Sequence, residues 1–308
     1  MQKLRTLFFW TPGLSANILT HLLTEETLEI VWVVTSPDKI GGRGHGLITS
    51  PVAQLAREKN IPLFQPEKIK EEDFLSAIRE LKSDICLVVA YGKILPQVLL
   101  DIPLMGFLNV HTSLLPKYRW AAPIQHALLN GEKTTGLTIM QMSLGMDEGD
   151  ILLQESWDIS PNDTTWTLFE KTAQRGGPLL MKAIEGLQTW GISPLPQNHE
   201  EATYTKMVEK KDGELQPTWT VDEAYQRWQA YTPWPSLFIF YNGTRVSLLK
   251  IKRMKEENWR KRTEGSLFIA DNLPAIELAD GYILIERLHP AGKNPMTGEE
   301  FIRGFMRD

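Results

Sequence analysis

Short apolar runs recur along the first two-thirds of the chain, at Leu4–Phe9, Glu29–Thr35, Asp84–Ala90 and Gly106–Val110. Between them, Ser15–Leu23, Pro51–Lys59 and Glu72–Leu81 space their apolar side chains at a helical period. Ser50-Pro51 is a helix start, with serine as the cap and proline in the first helical position. A hairpin-like pair follows, Thr138–Met142 and Ile151–Trp157, joined through Leu144 to Asp150. Asn162 or Asp163 then caps a long helix running towards Gly186. Strand and helix patterns that alternate in this way predict an α/β domain, with helices covering a mostly parallel sheet.

The pattern changes near Ile192, where Pro194, Pro196, Gln197 and Asn198 mark a turn-rich connection. Beyond it the spacing predicts a short helix at Asp222–Tyr231. Asn242-Gly243 separates Ser236–Tyr241 from Thr244–Lys252, a hairpin signal. Further strands near Gly265–Ala270, Ala275–Leu278 and Gly281–Leu288, and a final helix near Glu299–Met306, predict a small β-barrel. The expected organisation is a first domain over 1–191, a linker over 192–205 and a barrel domain over 206–308.

The length of 308 residues suits two domains, and 42% hydrophobic with 23% charged residues is ordinary for a folded soluble protein. No apolar run approaches the roughly 20 residues that span a bilayer. Leu7–Trp10 is cut short by Thr11-Pro12-Gly13 and reads as a strand rather than a signal peptide. The only cysteine, Cys86, lies inside an apolar run, so a buried structural thiol is expected and an internal disulfide is excluded. The six histidines show no metal-ligand spacing. A net charge of −5 argues against indiscriminate nucleic-acid binding, yet it divides unevenly: −6 over 1–205 and +1 over 206–308. Lys250, Lys252, Arg253, Lys255, Arg260, Lys261 and Arg262 crowd one segment that holds only two acids, Glu256 and Glu257. Such a cluster is either a solvated hairpin or a phosphate-contacting face.

The chemistry concentrates in Asn109-Val110-His111-Thr112-Ser113-Leu114-Leu115-Pro116-Lys117-Tyr118-Arg119. Asn109 and His111 are two apart at the end of an apolar strand, so both side chains leave one face. Strand ends in open α/β sheets form ligand crevices. An amide and an imidazole aimed at one spot are donors for a carbonyl oxygen that gains charge during acyl transfer. Asp147, in Leu144-Gly145-Met146-Asp147-Glu148-Gly149-Asp150, offers a carboxylate to hold the imidazole. By spacing alone Glu148 and Asp150 are its rivals.

The ordered set of motifs resembles the methionyl-tRNA formyltransferase family. It comprises Asn109–Pro123, Gly136–Met142, Gly145–Asp150, Thr35–Lys39 with Gly42-Arg43-Gly44, Val88–Gly92 with Ile94-Leu95-Pro96, Pro233-Trp234-Pro235, and Pro290–Lys293 with Pro295-Met296. The resemblance implies a Rossmann-like formyltransferase domain followed by an OB-like barrel. It implies that Asn109, His111 and Asp147 are the catalytic trio. It also implies a folate site at Ser113, Leu114, Leu115 and Pro116, with Val89, Tyr91 and Gly92 as a further wall. The formyl donor would be 10-formyltetrahydrofolate, a co-substrate, with no metal. The acceptor would be methionyl-initiator tRNA, met by Arg43 in the 37–50 loop and by Lys250, Lys252 and Arg253. His45-Gly46 stand where members commonly carry further basic residues after Gly-Arg-Gly. A cytoplasmic monomer without membrane attachment is expected. The rival functions are a formyltransferase acting on an amino sugar nucleotide, a hydrolase of 10-formyltetrahydrofolate and a catalytically idle RNA binder. The chain departs from the family pattern in one repeated way: Trp10, Trp32 and Trp120 stand where the family has glycine.

Overall fold

The computed structural model describes residues 3–10, 15–41, 46–89, 94–255 and 265–306, with the backbone alone for Trp10, Lys39, Ile40 and Gly46. The chain divides into two compact units. The first comprises residues 1–123, 134–158 and 169–205, and the second 124–133, 159–168 and 206–308.

The first unit is built on a seven-stranded sheet. Its order is Ile151–Asp158, Thr134–Gln141, Phe107–His111, Ile85–Val89, Leu4–Trp10, Leu28–Thr35 and Leu63–Phe64. The last five run parallel, and the two strands expected as a hairpin add an antiparallel edge. Both faces are covered, which is why these strands read as continuous apolar runs. Along Leu4–Trp10, Phe8 enters one core with Ile18, Leu19, Val110 and Ile184. Leu7 and Phe9 enter the other with Phe74, Ile78, Leu99 and Phe107. Cys86 is buried in that second core, and burial pushes its thiol well above the ordinary range.

Local signals are realised with small shifts. Ser50 caps Pro51–Glu58 by accepting the Ala53 N–H at 3.2 Å. The strand expected at Thr138 begins at Thr134, and within it Gly136 packs against the Glu155 carbonyl with no room for a Cβ. The cap of the long helix Thr165–Gln188 is Thr164, and not Asn162 or Asp163. Its hydroxyl accepts the Thr167 N–H at 3.4 Å, while the Asp163 carboxylate takes the Ser160 N–H and the Thr167 hydroxyl. Residues 192–205 carry paired backbone: Leu195 bridges Ile151, and Tyr204–Thr205 runs parallel to Arg119–Trp120.

In the second unit the strands lie in the order Phe238–Tyr241, Thr244–Lys255, Gly281–Pro290, Leu273–Leu278 and Leu267–Ala270, with Met296–Thr297 also on Gly281–Pro290. Asn242 and Gly243 both take left-handed backbone in the tight hairpin turn. The expected closed OB-like barrel is not formed: among the described residues Phe238–Tyr241 and Leu267–Ala270 remain edges, so the sheet is open. Its core gathers Val246, Leu248, Ile276, Ile283 and Ile285 against Trp228 and Ala224 of the helix Val221–Tyr231. A capping box between Thr220 and Glu223 starts that helix. Among the described residues no helix is long and apolar enough to cross a membrane.

Candidate active site and nucleic-acid face

The sheet reverses its winding between Leu4–Trp10 and Ile85–Val89, the arrangement that opens a crevice beyond the carboxyl ends of parallel strands. Phe107–His111 ends next to that point. Phe107 sits in the core, and Asn109 and His111 continue its face outward, 8% and 6% exposed. No side chain or main-chain group among the described residues takes the Asn109 amide as a partner. The imidazole of His111 is bonded on one side and faced by a carboxylate on the other. Its Nε2 lies 3.0 Å from the Tyr118 carbonyl, which can only accept, so the ring hydrogen sits on Nε2. Its Nδ1 faces the Asp147 carboxylate at 3.6 Å, beyond hydrogen-bonding reach.

Asp147 reaches this position through an unusual loop. Its own φ is +53°, and its Oδ2 accepts the main-chain N–H of Trp120 at 2.8 Å. Gly149 lets the loop return, since a Cβ there would collide with the Gln141 carbonyl. The rival Glu148 turns elsewhere, to Tyr204 at 3.0 Å and Arg119 at 3.5 Å, and the main chain of Asp150 is tied to the neighbouring strand, its carbonyl accepting the Gln141 N–H. Tyr118, Trp120 and Ala122 alternate in positive φ, a backbone that lets the chain offer a carbonyl to His111 and then an N–H to Asp147.

Of the expected folate residues, Ser113 is buried and donates its hydroxyl to the Lys117 carbonyl at 2.6 Å. Leu115 is buried too, and its N–H goes to Thr138 Oγ1 at 3.1 Å. The Leu115 carbonyl accepts from Gln154 at 2.9 Å, and Pro116 follows through a cis peptide bond. Leu114 lies against Gly136, and Val89 is fully buried at the end of its strand. Tyr91 and Gly92 lie outside the described residues, as does Arg43. Sequence reasoning missed Thr138 and Gln154, which fix the Ser113–Leu115 backbone, and Arg119 and Gln197. Polar residues inside buried strands, such as Thr138, were the available signal.

On the second unit, Lys250, Lys252 and Arg253 line a surface pocket of about 480 Å³ with Asn162, Tyr225, Trp228 and Glu286. Lys250 pairs with Glu286 at 2.7 Å, and Arg253 pairs with Asp222 at 3.4 Å while lying 4.2 Å over the Tyr225 ring. Lys255 also reaches Asp222, at 2.6 Å. This hydrogen bond and charge hold the Asp222 carboxyl below its usual range and the Lys255 ammonium above its own. Among the described residues Lys252 has no ion pair. Arg260, Lys261 and Arg262 lie outside them. No cluster of potential metal ligands occurs among the described residues.

Comparison with known proteins agrees with the two-part organisation. A family model described as formyl transferase matches residues 4–184, and one described as formyl transferase, C-terminal domain, matches 207–306. The chain is 37% identical over 300 residues to a methionyl-tRNA formyltransferase of Caldicellulosiruptor saccharolyticus, covering 97% of this chain and 96% of the relative. It is 39% identical over 306 residues to one from Desulfotalea psychrophila, covering 98% and 93%. Among solved structures it is similar to HypX from Aquifex aeolicus in complex with tetrahydrofolic acid, with a TM-score of 0.68 at 16% identity, over 99% of this chain and 48% of that one. An N-formyltransferase from Helicobacter canadensis, in complex with folinic acid and dTDP-3-aminofucose, gives 0.67 at 19% over 92% and 99%. These structural likenesses bear on the fold alone. With both family models in sequence and full-length relatives above a third identical, the chain belongs to the methionyl-tRNA formyltransferase family.

Proposed function

We propose that this chain transfers the formyl group of 10-formyltetrahydrofolate to the amino group of methionine carried by initiator tRNA. The observation that carries the reading is the convergence of Asn109, His111 and Asp147 at one strand end, in a chain of this family. The neutral amine attacks the formyl carbon, a C–N bond forms and the carbonyl oxygen becomes an oxyanion. The unpartnered Asn109 amide donates to that oxygen. With Nε2 committed to Tyr118, the lone pair of His111 Nδ1 takes the proton leaving the amine. Asp147 stabilises the imidazolium so formed. The same proton then passes to the folate nitrogen as its bond to the formyl carbon breaks, which restores the starting imidazole.

Ser113, Leu114, Leu115 and Pro116, with Val89, Tyr91 and Gly92, form the folate wall in this reading. Their support is the buried backbone that Thr138 and Gln154 fix beside His111. The first unit is then the catalytic part. The second unit holds tRNA phosphates through Lys252, with Lys250 and Arg253 beside it, and Arg43 contributes from the first unit. The trio lies within one chain, which supports a monomer as the working unit, and in this reading the reaction belongs to the cytoplasm.

The test is incubation with 10-formyltetrahydrofolate labelled in the formyl group, offering charged initiator tRNA, an amino sugar nucleotide or no acceptor. Label on methionyl-tRNA is expected. Label confined to the sugar nucleotide, or released only as formate, overturns the reading.

A further inference from the structure

The expected linker does more than join two domains. Gln197 is 6% exposed, and each end of its amide is used. Nε2 donates to the carbonyls of Asp147, at 2.8 Å, and Gly149, at 2.7 Å. Oε1 accepts from Nε and Nη2 of Arg119, at 3.1 and 2.8 Å. Arg119 is fully buried, and its remaining donors go to His199 Nδ1 at 3.3 Å and the Tyr204 hydroxyl at 2.9 Å. The same segment grips the backbone that faces the trio. The Tyr118 N–H goes to Thr203 Oγ1 at 2.8 Å, and the Arg119 N–H to the Thr203 carbonyl at 2.8 Å. Thr205 Oγ1 donates to the carbonyls of Arg119 and Ala121.

These bonds fix two loops against each other. One carries the Tyr118 carbonyl that holds His111, and the Trp120 N–H that holds Asp147; the other carries Asp147 itself. Asp147 sits on left-handed backbone, which a non-glycine residue keeps only where its surroundings impose it. The bond from Gln197 to the Asp147 carbonyl falls on that residue. Gln197 lies in the interval 185–206 that neither family model covers.

We infer that Gln197, backed by Arg119, is a positioning residue that sets the Asp147 carboxylate against His111 for proton transfer. This rests on the function proposed above. Geometry decides its size: a reacting group displaced by about 1 Å can lose on the order of 100-fold in rate.

Gln197→Glu separates positioning from simple packing. The carboxylate keeps the pairing with Arg119, but it cannot donate to Asp147 or Gly149 and sets an oxygen against their two carbonyls, so some stability is lost along with the positioning. Thermal unfolding, kcat, KM for 10-formyltetrahydrofolate and the pH–rate profile are measured for wild type, Gln197→Glu, Asp147→Asn and the double variant. The expected result is an enzyme that is less stable but still folded at the assay temperature, with kcat lowered at least about tenfold, KM little changed and a displaced pH–rate profile. The double variant should be no slower than Asp147→Asn alone, because both changes remove one function. A Gln197→Glu enzyme with wild-type kcat and pH profile overturns the inference, as do losses that multiply in the double variant. An Asp147→Asn enzyme with full activity overturns the proposed mechanism instead, so the two failures are distinct.

Discussion

Asp147 Oδ2 accepts the Trp120 N–H at 2.8 Å while standing 3.6 Å from His111 Nδ1, so the carboxylate is anchored by backbone and only faces the imidazole. An ion pair with its hydrogen bond would form when Nδ1 gains a proton during reaction, which suits stabilisation of a transient charge. Asn109→Ala should therefore cost roughly 2.7–4 kcal/mol of transition-state stabilisation, a loss of 10²–10³ in turnover. Asp147→Ala and His111→Ala should also fall by orders of magnitude with folding retained. Single-turnover formylation measures all three, and a near-normal rate for His111→Ala removes the mechanism.

Gly149→Ala should damage the site without touching a reacting group. Its Cβ would meet the Gln141 carbonyl, forcing apart the loop that carries Asp147 and the strand Thr134–Gln141. We expect a loss of about 1–3 kcal/mol in urea unfolding, together with lower kcat. Unchanged stability and kcat would show that the loop yields freely.

Lys252 and Lys250 should differ in tRNA binding. Lys250 is already paired with Glu286, whereas Lys252 has no ion pair among the described residues. Lys252→Ala should lower the magnitude of the log–log salt slope of tRNA affinity by about 0.9, the value for one duplex phosphate. Lys250→Ala should lower it less. Filter binding over a salt series makes the comparison, and equal slopes for all three proteins would contradict it.

The acid limb of stability has a named contributor. Asp222 is held below its usual range, first by the hydrogen bond from Lys255, so its ionised form is favoured in the folded state. The stabilisation is complete above the unfolded carboxyl's ordinary value and fades as pH falls through the lower folded one. Asp222→Asn should thus cost stability at pH 7 and little once the pH is below both values. Thermal unfolding over a descending pH series from 7 tests this, and a deficit that does not shrink as the pH falls refutes it.

Much of the first unit is legible because its determinants are local. The period of two along Phe107–His111 places Asn109 and His111 together, and apolar runs mark strands covered on both faces. Asp147 is not distinguishable from Glu148 and Asp150 by spacing, since the choice depends on a left-handed turn and on Trp120 across the loop. Gln197 and Arg119 lie 78 residues apart, and neither carries a local sign of the other. The open sheet of the second unit escapes the sequence for a related reason. Hairpin signals determine neighbouring pairs, such as the Asn242-Gly243 turn, but whether first and last strands meet depends on curvature accumulated over the whole sheet.

The left-handed backbone at Trp120 has a consequence at the level of the gene. Its φ is +81°, and its indole is half exposed rather than packed into the site. Trp190, just beyond the long helix, repeats the pattern at +56° with 93% exposure. Trp32, by contrast, lies on ordinary strand and stacks on Phe64. Glycine adopts positive φ freely, while other residues are strained there by roughly 1–2 kcal/mol. A gene that spells glycine as UGA, written out in a code that reads UGA as tryptophan, would place tryptophan at such turns. It would also explain one repeated exchange at Trp10, Trp32 and Trp120. We expect UGA at codons 10, 32, 120 and 190, and UGG at codons 219 and 234. Peptide masses of the protein from its own cells should then show glycine at the first four. UGG at codons 10, 32 and 120 would make those tryptophans the protein's own. A recombinant Trp120→Gly protein should be about 1 kcal/mol more stable than its tryptophan counterpart, and faster.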